Sequence, residues 1–323
     1  MAYSLPKGTK VLTPKSGKGP DAPDREMWEF KAGPNNPHAL TPGMAVTLGP
    51  KVDAYLAKSA RATVPHPSAA EFPGAVPESA PRIERVFKVP LCTPKWFSTG
   101  LYAPPGEILR IQVSAELKGA SVIIGCHRDN ILGSKRERTH RFPRISLSRT
   151  FDKQNIEVAS PFGGLIYIDV PDKKEWEKSR GKARVEIEGG VEAPYFRLGE
   201  TTPEEWLRLR QAPAPWAEFG GEKLIGSVPS DFVRKLDYAT MKELSEYWDK
   251  AVELQDWLAG WGPRRAPERF VADAELSAGY GHSGYPYMGY LDWGSGFVDL
   301  QSLKTSGSWG HFHEMGHSHM SRI

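Results

Sequence analysis

The sequence predicts a multidomain α+β protein. A β-sandwich-like domain is expected over residues 85–195, and a domain in which helical signals dominate over 196–323, behind an irregular segment at 1–84. Three observations lead there. Short Val- and Ile-rich runs bounded by Gly, Pro and Asp crowd the middle of the chain. Helix-capping patterns begin after about residue 196. Half of the 28 prolines fall in the first 90 residues, a composition that disfavours regular elements there.

In chain order, the lead segment offers one short helical pattern, "PKVDAYLAKSAR". Its Trp28, Phe30 and Tyr55 are apolar enough to need cover from the domain that follows. The runs "GEILRIQVSA", "ASVIIGC", "GGLIYIDV" and "ARVEIEG" come next. In the last, Val185 and Ile187 alternate with Arg184, Glu186 and Glu188, the period of a half-buried strand. Several short strands at close intervals favour a sandwich over a parallel sheet. Between them "GSKRERTHRFPR" carries Lys135, Arg136, Arg138, Arg141 and Arg144, which read as a solvated loop or, more specifically, an anion-binding patch.

Thr202, Pro203 and Glu205 form a capping box for a helix in "TTPEEWLRLRQ". Thr240 and Glu243 repeat the spacing before a longer helix. Its apolar side is expected to hold Leu244, Tyr247, Trp248, Ala251, Val252 and Leu258, with Trp257 also packing and Gly260 ending the run. An apolar strand in "ERFVADAEL" precedes a Gly- and Tyr-rich stretch suited to a substrate cleft, since Gly permits close backbone approach and Tyr gives rigid contact area.

With 42 basic and 39 acidic residues the net charge is +3, too small to imply nucleic acid. No apolar run approaches the ~20 residues of a transmembrane helix, and "MAYSLPKGTKVLTPKSGKGP" lacks the apolar stretch of a secretory signal. Cys92 and Cys126 are compatible with one disulfide or two thiols, and free buried thiols are preferred.

The chemistry concentrates at the end of the chain, in "HFHEMGHSHMSRI". His313, Glu314 and His317 form H-E-x-x-H. On a helix four residues advance about 400° and about 6 Å, so both imidazoles leave one face a turn apart. That spacing suits two nitrogens on one tetrahedral Zn²⁺ at ~2.0–2.1 Å. The ion would lower the pKa of a water toward ~7, and Glu314 would serve as general base and return the proton to the leaving amine. His311 and His319 lie about 200° from the nearer motif histidine, so solvent-facing or supporting roles are expected of them. Asp273, Glu275, His282, Asp292 and Asp299 are acidic or imidazole candidates upstream, none at diagnostic spacing. A third metzincin-type histidine is absent, because that position is Ile323.

Over roughly residues 70–323 the chain resembles the M60-like, enhancin-related zinc metallopeptidases. The resemblance rests on "WFSTGLYAPPGE", "IIGCHRD", "SPFGGLIYIDVP", "APYFRLGETTPEEW", "APAPWAEFGGEKLI", "GYPYM" and "GSWGHFHEMGHSHM". It implies a β-sandwich-like accessory domain followed by a zincin-like (gluzincin) catalytic domain, incomplete at its C-terminus. It implies Zn²⁺ as cofactor, His313 and His317 as ligands, Glu314 as general base, and Tyr285 and Trp309 as substrate contacts. The substrates implied are glycoproteins and mucin-type polypeptides, met outside the cell. The family's remaining ligand is a Glu downstream of the motif. No acidic residue follows Glu314 here, so that ligand is expected beyond Ile323, with weak or no turnover by the chain as it stands. The TRP-channel-associated factors resemble the same family and act through partners, which gives an alternative: a non-catalytic binding or regulatory protein.

Overall fold

The computed structural model describes residues 65–131, 138–142 and 144–320, with two short strands at Val11–Leu12 and Met27–Glu29. The helical pattern in 50–61 and the expected cover of Phe30 and Tyr55 lie outside the described residues, as do Lys135 and Arg136. The side chains of Trp28 and Arg138 lie outside them as well.

The N-terminal domain is built from β1 (Ile83–Pro90), β2 (Lys95–Ala103), β3 (Leu109–Val113), β4 (Ser121–Ile124), β5 (Leu147–Thr150), β6 (Asn155–Val158), β7 (Gly164–Val170) and β8 (Lys182–Glu192). Their order is β5-β4-β7-β2-β8-β3-β6, with β1 also paired to β8. Both β1 and β3 lie antiparallel to the first part of β8, whose last residues, Val191 and Glu192, cross to β2. One continuous strand therefore joins two half-sheets, which face each other over Val89, Leu109, Ile111, Val122, Ile166, Ile168, Val185 and Ile187. The alternation at Val185 and Ile187 is the inner face of this sandwich.

β7 explains the near-continuous apolar run "GGLIYIDV". Ile166, Ile168 and Val170 enter the sandwich core, while Leu165 and Tyr167 point the other way into a second core shared with the C-terminal domain. A strand covered on both faces has no polar side to show.

The C-terminal domain carries a six-stranded mixed sheet: β9 (Tyr195–Arg197), β10 (Trp216–Gly220), β11 (Leu224–Pro229), β12 (Glu268–Asp273), β13 (Gly281–His282) and β14 (Tyr287–Tyr290). Its order is β9-β10-β11-β12-β14-β13, and β13 ends the sheet antiparallel to β14. Besides a single helical turn at Ser230–Val233, five longer helices accompany it among the described residues: α1 (Pro203–Leu209), α2 (Tyr238–Leu258), α3 (Leu291–Phe297), α4 (Leu300–Ser306) and α5 (Trp309–Met320). The architecture is the α+β arrangement read from the sequence.

The α1 capping box forms as expected: Thr202 Oγ1 accepts from the Glu205 amide, and the Glu205 carboxylate accepts from the Thr202 amide. Helix α2 departs from expectation at both ends. Its cap is Asp237, whose carboxylate accepts from the Thr240 amide at 2.8 Å, so Thr240 lies inside the first turn. An ionised side chain three residues earlier is the better partner for the positive end of the helix. At the other end Trp257 and Leu258 are 74% and 75% exposed rather than packed, while Trp248 is buried against Phe297.

Two buried ion pairs join the domains. Arg269 on β12 binds Glu218 on β10 at 2.9 Å and donates to the Trp96 carbonyl and Ser98 of β2. Arg141, from the basic stretch, meets Asp273 at the end of β12 through two bonds of 2.6 and 2.9 Å, both side chains fully buried. The solvated-loop and anion-patch readings of Arg141 are therefore corrected: its anion is an internal carboxylate. Cys126 is buried and Cys92 half-buried, both as free thiols.

Candidate metal centre

Helix α5 divides its side chains between two faces. His311, Met315 and His319 fall four apart on the inner face, at 2%, 0% and 5% exposure. Trp309, His313 and His317 fall four apart on the outer face, with Glu314 beside them. The inner histidines are not solvent-facing, which corrects one of the roles expected for them. His311 lies 3.3 Å from the Tyr287 hydroxyl through Nδ1 and 3.2 Å from the Trp293 carbonyl through Nε2. Burial lowers its pKa to about 4, so it serves as a neutral ring. His319 lies 2.9 Å from both the Met315 carbonyl and Asp256 on α2. The two fix the rotation of α5 about its axis, and so decide what its outer face presents.

On that outer face the Nε2 atoms of His313 and His317 are 3.1 Å apart, their rings crossed at 84°. Two nitrogens bound to one tetrahedral ion at ~2.0–2.1 Å would be separated by about 3.3–3.4 Å. The pair thus fits half of a zinc site with a shift of a few tenths of an ångström. Among the described residues no third His, Cys, Asp or Glu gathers with them. Trp309 is 75% exposed and stacks on His313 at 4.4 Å and 20°, holding that ring and offering its other face to solvent.

The upstream candidates are engaged elsewhere. Asp273 is held by Arg141, Glu275 accepts from the His140 amide, and Asp292 accepts from the Tyr280 hydroxyl. Asp299 caps α4 through the Ser302 amide, and His282 is paired with Asp129. Tyr285 is half-buried between the domains, edge-on to Trp96 at 5.8 Å and beneath Lys95 Nζ at 4.0 Å. Burial raises its hydroxyl pKa, with neighbouring Arg269 opposing.

The glycines of the cleft stretch have a use the sequence did not disclose. A Cβ at Gly281, Gly289 or Gly310 would meet the Trp293 indole at 2.6–2.7 Å, so these three positions form the niche for that ring. The close approach is by a tryptophan of the same domain. It brings β13, β14 and the start of α5 together around one side chain.

Sequence reasoning missed Asp129, Arg141 and Trp293 as organisers of this region. No local pattern marks them, because all but one of these partners (Gly289, four residues from Trp293) lie 12 to 153 residues away in the chain.

Comparison with known proteins matches residues 78–187 to the N-terminal domain of M60-like peptidases and 189–322 to "Peptidase M60, enhancin and enhancin-like". TRPM8 channel-associated factor 3 of Rattus norvegicus is 37% identical over 228 residues, covering 69% of this chain and 24% of that protein. The chain thus spans about a quarter of the length of the curated relatives it matches. Among solved structures, the IMPa metallopeptidase from Pseudomonas aeruginosa superposes with a TM-score of 0.54 at 18% identity, over 80% of this chain and 32% of that one. The M60 catalytic domain of Clostridium perfringens ZmpC, in complex with the sialyl T antigen, does so with 0.55 at 14% identity, over 74% and 53%. At such identities these two likenesses speak to the fold alone. With both halves matched in order by the family's own domains, the chain belongs to the M60-like, enhancin-related peptidase family.

Proposed function

We propose that this protein is a zinc-dependent metallopeptidase acting on glycosylated polypeptides of the mucin type. The observation that carries the reading is the convergence of His313 and His317 on one point of an open helix face with Glu314 adjacent. His313 and His317 would hold the ion through their Nε2 atoms. Zinc supplies Lewis acidity, which makes a water more acidic and a carbonyl more electrophilic. Glu314 takes the proton from the attacking water on a carboxylate oxygen and delivers it to the departing amine nitrogen, so its carboxylate is regenerated each cycle. His311 and His319, anchored on the inner face, keep the ligands and the base on the same side. Trp309 limits His313 to one ring plane. Strand β13, at the end of the sheet beside α5, is placed to align an extended peptide by strand addition. The glycan preference is supported by solved neighbours whose names include T-antigen complexes.

The test combines zinc stoichiometry with cleavage of an O-glycosylated mucin fragment. The parent chain should bind zinc, His313→Ala and His317→Ala should weaken binding, and Glu314→Gln should retain the metal while losing about 10²–10⁴ in rate. A chain that takes up no zinc, or a Glu314→Gln variant as fast as a parent with measurable turnover, sinks the reading.

A second reading is a binding protein on the same scaffold. It is favoured by the channel-associated names of the 37%-identical relatives and by the incomplete ligand set among the described residues. Capture of a partner that survives both His313→Ala and removal of glycans would support it over catalysis.

A further inference from the structure

We propose that the N-terminal domain carries a binding site of its own, a polar trough on the outer face of β3, β6 and β8 that takes a neutral sugar chain. The choice of mucin glycans as probe rests on the function proposed above, but no residue of the trough belongs to α5. Two cross-strand rows form its floor. In one, Glu157, Arg110 and Glu188 stand side by side, with Arg110 bonded to Glu157 at 3.3 Å and to Glu188 at 3.0 Å. In the next row stand Asn155, Gln112 and Glu186. Burial alternates along all three strands, so both rows face away from the sandwich core. The trough has a volume of about 490 Å³, within the ~300–1,000 Å³ range of small-molecule sites. Arg149, at the end of β5, and Lys153, in the bend that follows, complete its lining. That side is held in place. Arg149 donates to the Glu157 carbonyl at 3.0 Å, Phe151 is buried, and the Val113 amide donates to the Gln154 carbonyl at 2.8 Å.

The chemistry of the floor selects the ligand. Arg110 is shared between two glutamates and Glu186 is paired with Arg184, so these ions are already matched. The neighbouring carboxamides of Gln112 and Asn155 make no hydrogen bond among the described residues. Each offers an acceptor oxygen and two donor hydrogens in one plane. Adjacent hydroxyls of a sugar both donate and accept, so they can meet the two halves of a carboxamide together. An anion would lie against Glu157, Glu186 and Glu188, and a cation against Arg110, Arg149 and Lys153. An apolar group would cut the carboxamides off from water without replacing their bonds. A neutral polyhydroxylated chain leaves the matched ions undisturbed. Neighbouring strands lie ~4.8 Å apart, so the Asn155–Gln112–Glu186 row spans ~10 Å, about the length of a disaccharide. Among the described residues no aromatic ring lines the trough, so hydrogen bonding rather than stacking carries the recognition.

The experiment is a ¹H–¹⁵N NMR titration of the full 323-residue chain with neutral O-glycans released from mucin, read at the side-chain NH₂ signals of Gln112 and Asn155. Gln112→Ala and Asn155→Ala assign the two signals, and both positions are exposed, so neither substitution threatens folding. In the parent both signals should shift and saturate. Either substitution should weaken binding about fivefold or more, read at the carboxamide that remains. The shifts should persist in His313→Ala/His317→Ala, and should be the same at about 0.05 M and about 0.5 M salt, since no net charge is recognised. Silent carboxamide signals, shifts from the acidic glycan fraction alone, or equal shifts from the deglycosylated mucin polypeptide overturn the proposal. So does loss of the shifts in the double histidine variant, which would place the glycan on α5. Cleavage of mucin with silent carboxamides defeats this proposal and leaves the peptidase reading standing, while shifts without cleavage do the reverse.

Discussion

Replacing Arg141 with Met should cost about 3–5 kcal/mol and loosen the union of the two domains. The substitution keeps most of the side-chain length but removes the whole guanidinium. At least four bonds go with it: two to Asp273 at 2.6 and 2.9 Å, and one each to the Phe142 and Asp129 carbonyls at 2.9 Å. The carbonyl losses are of order 1 kcal/mol each where no water replaces the donor. Most of the loss comes from Asp273, left as an unpaired carboxylate with no exposed surface, for which removal of one buried partner costs about 3–5 kcal/mol. The Glu275 amide, 3.2 Å from Asp273 Oδ1, remains and offsets a small part. Urea unfolding followed by tryptophan fluorescence measures the loss, and the double variant Arg141→Met/Asp273→Leu completes a thermodynamic cycle. The double variant should recover most of the deficit, because an apolar pair of similar volume carries no orphaned charge. Single-variant losses below about 1 kcal/mol, or a cycle with no coupling, would refute the view that this pair is what the basic stretch contributes.

Other outcomes follow from the same structure. Thr202→Ala removes the α1 cap and should cost about 0.5–2 kcal/mol in the same unfolding assay, with Thr202→Ser close to parent. Trp248→Ala should cost about 3–5 kcal/mol and Trp257→Ala less than about 0.5, since one ring is buried and the other exposed. Burial lowers the pKa values of His66 and His311 to about 4, and burial outweighing the attraction of Asp273 does the same for His127. A depressed histidine pKa means that the unfolded chain binds more protons. The stability these rings confer is full above about pH 6.5 and is lost as pH falls from there toward 4. Two to three protons should be taken up on unfolding near pH 5, measurable as the slope of urea stability against pH. A flat slope between 6.5 and 5 contradicts the neutral buried rings.

What the sequence disclosed, and what it withheld, divides by the range of the interaction. The α1 capping box is a contract between residues three apart, and it is visible in "TTPEEW" because nothing distant takes part. The motif is legible for the same reason: Trp309, His313 and His317 share a face by helical arithmetic alone. At the start of α2, two caps of the same spacing overlap, Asp237 with Thr240 and Thr240 with Glu243, and local pattern does not rank them. The ionised group wins. Helix periodicity also placed Leu258 in the core, although Trp257 and Leu258, in the last turn of α2, are both largely exposed.

The withheld part is the electrostatics of the cleft. A run such as "KRERTHRFPR" looks solvated because five of its six charged side chains are basic, with Glu137 the one acidic residue among them. Arg141 becomes an interior residue through a carboxylate 132 positions later. His282 is hidden in the opposite sense, since a lone histidine upstream of H-E-x-x-H looks like a spare ligand until Asp129, 153 positions earlier, takes its nitrogen. Both partners come from, or reach across to, the sandwich. A domain that by composition is only an all-β support therefore holds the His282 side chain on the strand packed against α5. Whether α5 serves hydrolysis or merely recognition, the strand packed against it carries a histidine that the other domain holds. Separating the two domains should then disturb His282 before it disturbs His313 or His317.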